Sequence, residues 1–226
     1  MATLLLRFAA PLQSWGINSK FDRRDTYNAP TKSGIIGLLG AALGLQRNET
    51  TEFKKLTDNL RIGIRVDKEG VLLRDYQTVQ SKKHAYVTQR FYLADAIFLV
   101  GLQGEFALLQ KLKEALESPV FPLFLGRRSC PPEGQIVIAL HEQETLDSAF
   151  VNTPSLNKDR NAADEVRVIL DAESQERDTF WLKDRPVKFD IYQREFALRS
   201  VKEFFVNIAE IKEKETEHNP FIELEV

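Results

Sequence analysis

Arg127 and Arg128 stand side by side in the stretch FLGRRSCPP, straight after Gly126 and just before a proline pair. Adjacent guanidiniums repel each other and are costly to bury without partners. The pair therefore suits either a solvated loop or an anion gripped by both arginines. A second grouping is SKKHAY at 81–86, which sets Lys82, Lys83 and His84 beside Tyr86. With Tyr27 from elsewhere in the chain, this set can cleave RNA without a metal. His84 would act as the acid or base, and a lysine would stabilise the charged transition state. The same residues also read as a basic hairpin tip that touches phosphates and does no chemistry. A third is TKSG at 31–34, which has the ending of a phosphate loop but lacks the GxxxxGK frame, because Ala29 and Pro30 precede it. Lys32 and Ser33 can still form a helix start with free backbone N–H groups, suited to one phosphate, or an ordinary helix start.

Other chemistries find no residues. His84, His141 and His218 are the only histidines, none in a metal-ligand spacing, and Cys130 is the single cysteine, with no His or Cys close in sequence. No metal site and no cofactor is expected. The remaining signal is cations among aromatic rings: Lys20, Arg23 and Arg24; Lys32; Lys82, Lys83 and Arg90; Arg127 and Arg128. Trp15, Phe21, Tyr27, Tyr76, Tyr86 and Tyr92 sit among or beside them. Cations hold phosphates and rings stack on unpaired bases, which is the chemistry of single-stranded RNA binding. Each ring taken alone also reads as a packing residue.

The elements that must position these groups follow from periodicity. Residues 3–8 form a buried strand, and 9–31 a long polar loop. Residues 33–45 form a helix whose Gly34, Gly37, Gly40 and Gly44 line one side, a stripe that predicts close approach to a neighbouring sheet. A short helix capped by Thr50 and Thr51 follows. Residues 61–66 alternate as a strand, and 71–76 return as the other arm of a hairpin. Residues 77–90 are polar, basic and dotted with aromatics. Residues 91–102 make a second long apolar strand, 105–117 an amphipathic helix and 135–140 another strand. This is the βαββαβ order of an α+β, ferredoxin-like domain over residues 1–141, with a β-hairpin inserted at about 77–90. Residues 142–226 form a small, mostly β region, with strands at 165–170, 187–191 and 195–208 and a charged tail.

Composition agrees with a globular chain. Of 226 residues, 43% are hydrophobic and 28% charged, enough to bury a core. The lone cysteine fits a reducing compartment, and the apolar start is too short to span a membrane and lacks the basic beginning of a signal peptide, so a cytoplasmic protein is expected. The net charge of −2 hides an asymmetry. Residues 1–130 hold 19 Lys and Arg against 12 Asp and Glu, whereas the rest hold 12 against 21. The basic front suits a polyanion and the acidic back repels stray ones or meets a basic protein, although charge also fluctuates along any chain.

Four stretches carry a resemblance: LLLRFAAPLQSWG, PTKSGIIGLLGAALGLQR, LRDYQTV and FPLFLGRRSCPP, with a weaker one, REFALRS, at 194–200. In this order they resemble the Cas-five family of RAMP proteins in its type I-E CRISPR Cascade branch. The resemblance implies a non-catalytic RNA-binding subunit with a ferredoxin-like palm and a hairpin thumb. Such a subunit holds the 5′ handle of the crRNA, caps the CasC backbone filament, contacts the large subunit CasA, and meets target DNA only through the complex. Mapped onto this chain, it places the RNA-facing surface at Gln13, Trp15, Lys20, Arg23, Arg24, Lys32, Ser33, Arg74, Tyr76, Lys82, Lys83, His84, Tyr86, Arg90, Arg127, Arg128 and Ser129. The thumb would bend the RNA so that a base near the handle–spacer junction cannot pair with target DNA. A type I-C branch of the same family cuts RNA with a Tyr and a Lys–His arrangement, which Tyr27, Lys83 and His84 resemble in part. That leaves a metal-independent endoribonuclease as the alternative.

Overall fold

A computed structural model describes residues 1–16, 23–80, 85–160, 165–172, 176–190 and 192–208. The elements run β1 (Ala2–Ala9), β2 (Leu12–Gln13), β3 (Arg23–Arg24), α1 (Lys32–Leu43), α2 (Thr50–Asn59), β4 (Arg61–Lys68), β5 (Val71–Gln80), β6 (Ala85–Ala94), β7 (Ile97–Gly104), α3 (Phe106–Glu117), β8 (Val137–His141), α4 (Leu146–Asn152), β9 (Val166–Asp171), β10 (Thr179–Phe189) and β11 (Arg194–Val206). Seven strands form one sheet in the order β10-β11-β9-β4-β7-β1-β8. Every neighbouring pair in it is antiparallel. Within it, β7 lies between β1 and β4, and β1 lies between β7 and β8. Two split βαβ units therefore interlock, as the βαββαβ element order requires. The C-terminal strands extend this sheet: β9 pairs with β4, β11 with β9, and β10 forms the far edge.

The sheet buries both faces. The strand side chains Leu4, Leu6, Phe8, Ile64 and Val100 meet Ile35, Leu39 and Leu112 from α1 and α3 in the larger core. On the opposite face Leu5, Leu99, Val168 and Leu170 meet Leu146, Ala149 and Phe150 of α4. Alternation along β1 explains the division, since successive side chains point to opposite faces. Among the described residues no helix is long and apolar enough to cross a membrane.

Three expectations are corrected. The glycine stripe of α1 meets the sheet only in part: Gly37 faces Phe189 at the end of β10, 3.8 Å from where its Cβ would lie. A Cβ at Gly34 would lie 2.8 Å from Trp15 and one at Gly40 2.2 Å from Phe53, so the stripe admits aromatic rings from other segments. Residues 71–76 do not pair with 61–66. They pair with β6, and the hairpin runs from Val71 opposite Ala94 to Gln80 opposite Ala85. It is longer than the expected 77–90, and it carries the apolar Val71, Leu72 and Leu73 on its exposed surface. Residues 91–102 are not one strand, for the run breaks at Asp95, where φ is +55°. There the chain leaves the hairpin sheet and enters the palm.

A buried ionic network fastens the C-terminal strands to α1. Arg199 donates to Asp184 through Nε (2.6 Å) and Nη2 (2.9 Å) and to Asp171 through Nη1 (2.5 Å). Lys32 Nζ reaches Asp171 at 2.7 Å, and the Lys32 backbone N–H donates to Asp184 at 2.7 Å. Burial pushes the Asp171 carboxyl up, but Arg199 and Lys32 outweigh it and hold the carboxyl below the usual carboxylate range. The folded state thus binds this proton less readily than the unfolded chain. The stability Asp171 contributes is full above about pH 4 and is lost as pH falls through the depressed folded value. Thermal midpoints measured from pH 7 down to 3 are expected to fall less below pH 4 in Asp171→Asn than in the unaltered chain.

Candidate nucleic-acid interface

The hairpin of β5 and β6 leaves the palm between two left-handed residues. Gly70 has φ +74°, and a Cβ there would lie 2.6 Å from the carbonyl oxygen of Ala94, so only glycine fits this root. Asp95 marks the return, its N–H donating to Pro11 O at 3.2 Å. On its inner edge β6 takes two more strands: β2 antiparallel, and β3 parallel with Arg23 opposite Gln89 and Arg24 opposite Arg90. The long polar loop of residues 9–31 is therefore partly ordered onto the hairpin. Two of the predicted cation groups meet there through backbone pairing.

The loop that holds Arg127 completes the cluster. Leu125 and Cys130 close it by a backbone hydrogen bond of 2.7 Å, and the Ser14 N–H donates to Leu125 O at 3.2 Å. Gly126 has φ +91°, and a Cβ on it would fall 1.7 Å from the carbonyl oxygen of Ser14. Glycine here lets the loop press against the segment leading to β3. Gly126→Ala is expected to cost more than about 1 kcal/mol, read as a lowered urea midpoint, because both the conformation and the space exclude a methyl group.

Arg127 is held above the Tyr92 ring, with its Cζ 4.7 Å from the centroid, while Nη2 donates to Arg24 O at 2.7 Å. Tyr92 and Arg90 lie two residues apart on β6 and so share a face. Arg24, Arg90 and Arg127 thus converge on one side of the hairpin root. Arg90 Nε and Arg127 Nη1 are buried and have no hydrogen-bond partner among the described residues. Such N–H groups are costly to leave unpaired, and an anion would satisfy them. On the other face Arg23 stands over Phe91 at 5.1 Å, and Phe91 is paired across the hairpin with Arg74. Tyr76, two residues beyond Arg74, is exposed, as are Tyr86, Arg128 and Ser129.

Three predicted RNA-facing side chains point inward instead. Gln13 is fully buried: its Nε2 donates to the carbonyls of Ala96 (2.8 Å) and Phe8 (3.3 Å), and its Oε1 accepts from Trp15 Nε1. Trp15 stacks on Phe8 with centroids 5.7 Å apart. It is a core residue that orders the approach to β3. Lys32 is engaged by Asp171, and Asp184 occupies the α1 N-terminus, which leaves the ordinary helix start of the two readings. Ser33 is partly buried, its hydroxyl 3.4 Å from that of Thr31. Tyr27 is half-buried beside Trp15, and burial, followed by the Glu203 charge, pushes its phenol up. Lys20, Phe21, Lys82, Lys83 and His84 lie outside the described residues, as does His218. Among the described residues no group of three or more His, Cys, Asp or Glu side chains could hold a metal ion.

A mixed α+β palm with a long hairpin, and arginines gathered at the hairpin root, matches known proteins along most of its length. The chain belongs to the Cas5 family of CRISPR-associated proteins, whose family model, described as CRISPR-associated protein (Cas_Cas5), matches residues 3–202. Over 170 residues it is 34% identical to the CRISPR system Cascade subunit CasD of Escherichia coli (strain K12), which covers 66% of this chain and 75% of that protein. Among solved structures it is similar to a chain of a CRISPR RNA-guided surveillance complex, with TM-score 0.75 and 30% identity over 91% of this chain and 90% of that one. It is also similar to a Cas protein solved by crystallography, with TM-score 0.71 and 38% identity over 92% and 98% of the two chains.

Proposed function

We propose that this chain is a non-catalytic crRNA-binding subunit of a Cascade-type surveillance complex, acting in the cytoplasm in antiviral defence. It holds the 5′ handle of the crRNA, caps a backbone filament of CasC-type subunits and touches a CasA-type large subunit. Target DNA reaches it only through the assembled complex. The observation that carries this reading is the convergence of Arg24, Arg90 and Arg127 on one side of the hairpin root, with two buried N–H groups unpaired among the described residues. Backbone phosphates of a single strand would satisfy those groups and relieve the repulsion among the three cations. Arg128 and Ser129, exposed beside Arg127, and Arg23, Arg74, Tyr76 and Tyr86 along the hairpin extend the same path. Lys20, Lys82, Lys83 and His84 add positive charge and hydrogen-bond donors by their place in the sequence. The hairpin acts sterically, displacing one base near the end of the handle.

The reading is supported by the relatives: one is named a Cascade subunit, and one belongs to an RNA-guided complex. The test is co-expression with a repeat–spacer transcript and the other complex subunits, followed by purification on a tag carried by this chain. Short RNAs with one uniform repeat-derived 5′ end should co-purify, and purified chain in EDTA should leave them uncut. Recovery of the complex without RNA, or cleavage abolished by His84→Ala, would overturn the proposal.

A further inference from the structure

Phe205 lies on β11 with 60% of its surface exposed. It is paired directly with Arg167 of β9, and Glu203, two residues earlier, shares its face. That face also carries Val201 and Ile169, which belong to the core beneath α1, so Phe205 stands on the same side of the sheet as Trp15 and Tyr27. Arg167 is a fixed post. It donates to Glu69 through Nε (2.9 Å) and Nη2 (2.8 Å), and its Nη1 lies 3.6 Å from Glu203 Oε2. Glu69 precedes the Gly70 root of the hairpin, so this ion pair joins the hairpin root to the strand pair that carries Phe205. Tyr27 packs against the same core as Val201 and Ile169. Tyr27 lies three positions beyond Arg24, at most about 11 Å of chain.

An exposed aromatic ring beside a pre-positioned carboxylate, close to a cation cluster, is the equipment for reading an unpaired base. The ring offers a stacking surface. The carboxylate is an acceptor without donors, so it suits a base edge that presents an amino group. Uracil presents two carbonyl oxygens flanking a single N–H, and these oppose a carboxylate. We propose that Phe205 and Glu203 form a base-reading station for one amino-bearing nucleobase, cytosine before uracil, next to the arginines that hold the backbone. This inference rests on the RNA-binding reading above and adds to it the base specificity of the strand held.

The test measures binding of the full chain to fluorescent octamers of cytidine and of uridine at one salt concentration. The chain should bind the cytidine octamer about 5-fold or more tightly than the uridine octamer. Phe205→Ala should weaken cytidine binding about 5-fold or more, with Phe205→Trp restoring it. Glu203→Ala should remove the preference between the two octamers and leave uridine binding within about 2-fold, since Arg167 keeps Glu69 as a partner. Thermal midpoints of the variants show whether each is folded. Equal binding of both octamers by the unaltered chain, or a folded Phe205→Ala that binds as before, overturns the base-reading station. If uridine binding is still lost in Arg24→Glu, the RNA-binding reading stands alone. A chain that binds neither octamer overturns both.

Discussion

Arg199→Ala is expected to lower stability by about 3–5 kcal/mol, the cost typical of removing one partner from a buried ion network. Asp184 is almost wholly buried and receives two hydrogen bonds from Arg199, while Asp171 receives one more. Removing the guanidinium leaves Asp184 with only the Lys32 N–H as a hydrogen-bond partner among the described residues. The loss is a large fraction of the total for a typical domain, which is about 5–15 kcal/mol. Urea denaturation should show a midpoint shifted well down, with β9, β10 and β11 the first to lose amide protection, because the network joins them to α1. A midpoint within experimental error of the unaltered chain would show that the C-terminal strands are held by packing alone.

The second large effect concerns RNA. Arg24→Glu combined with Arg127→Glu is expected to weaken binding of single-stranded RNA by about 100-fold or more. Each lost charge-assisted contact is worth about 1.5–3 kcal/mol, and reversal adds repulsion. The slope of log affinity against log salt should flatten by about 1.4, two phosphates at about 0.7 each. Both side chains are at least partly solvent-accessible and neither is embedded in the apolar core, so the fold should persist. Circular dichroism of the variant checks this. An unchanged slope with a folded protein would place the RNA elsewhere.

The palm and the hairpin root differ in how much of them the sequence announces. The palm was legible because its strands and helices are long and strongly periodic, and the order of such elements determines which can pair. The pairing of two cations beside a glycine and two prolines is visible in the sequence, whereas what the Arg127–Arg128 loop grips is not. Lys32 was misread for a physical reason. It looked free at a helix start, yet its partner Asp171 lies 139 residues away in sequence, and nothing local announces a long-range ion pair. Arg199 falls within REFALRS, so the motif was visible while its role as a buried tie was not. Gln13 and Trp15 stand near cations in the sequence, the pattern of RNA contacts, yet both are buried. The ring that covers Trp15 belongs to Phe8, on a strand already read as core, and a helix glycine makes room for the indole. The true length of the hairpin escaped because Val71, Leu72 and Leu73 have the composition of a buried strand. A two-residue period identifies a strand without naming its partner. The pairing that brings Arg23 and Arg24 beside Arg90 is of the same kind, set by tertiary contacts through β3.

On the proposed function, three segments distant in sequence hold one single strand of RNA at the hairpin root. Ultraviolet cross-linking of the chain to a handle-length RNA, followed by mass spectrometry of the modified peptides, measures this directly. Cross-links should fall together on peptides covering residues 23–27, 85–94 and 125–130, and all three should vanish at high salt. Cross-links confined to α2, α3 or the β8 edge, with those three peptides unmodified, would contradict it.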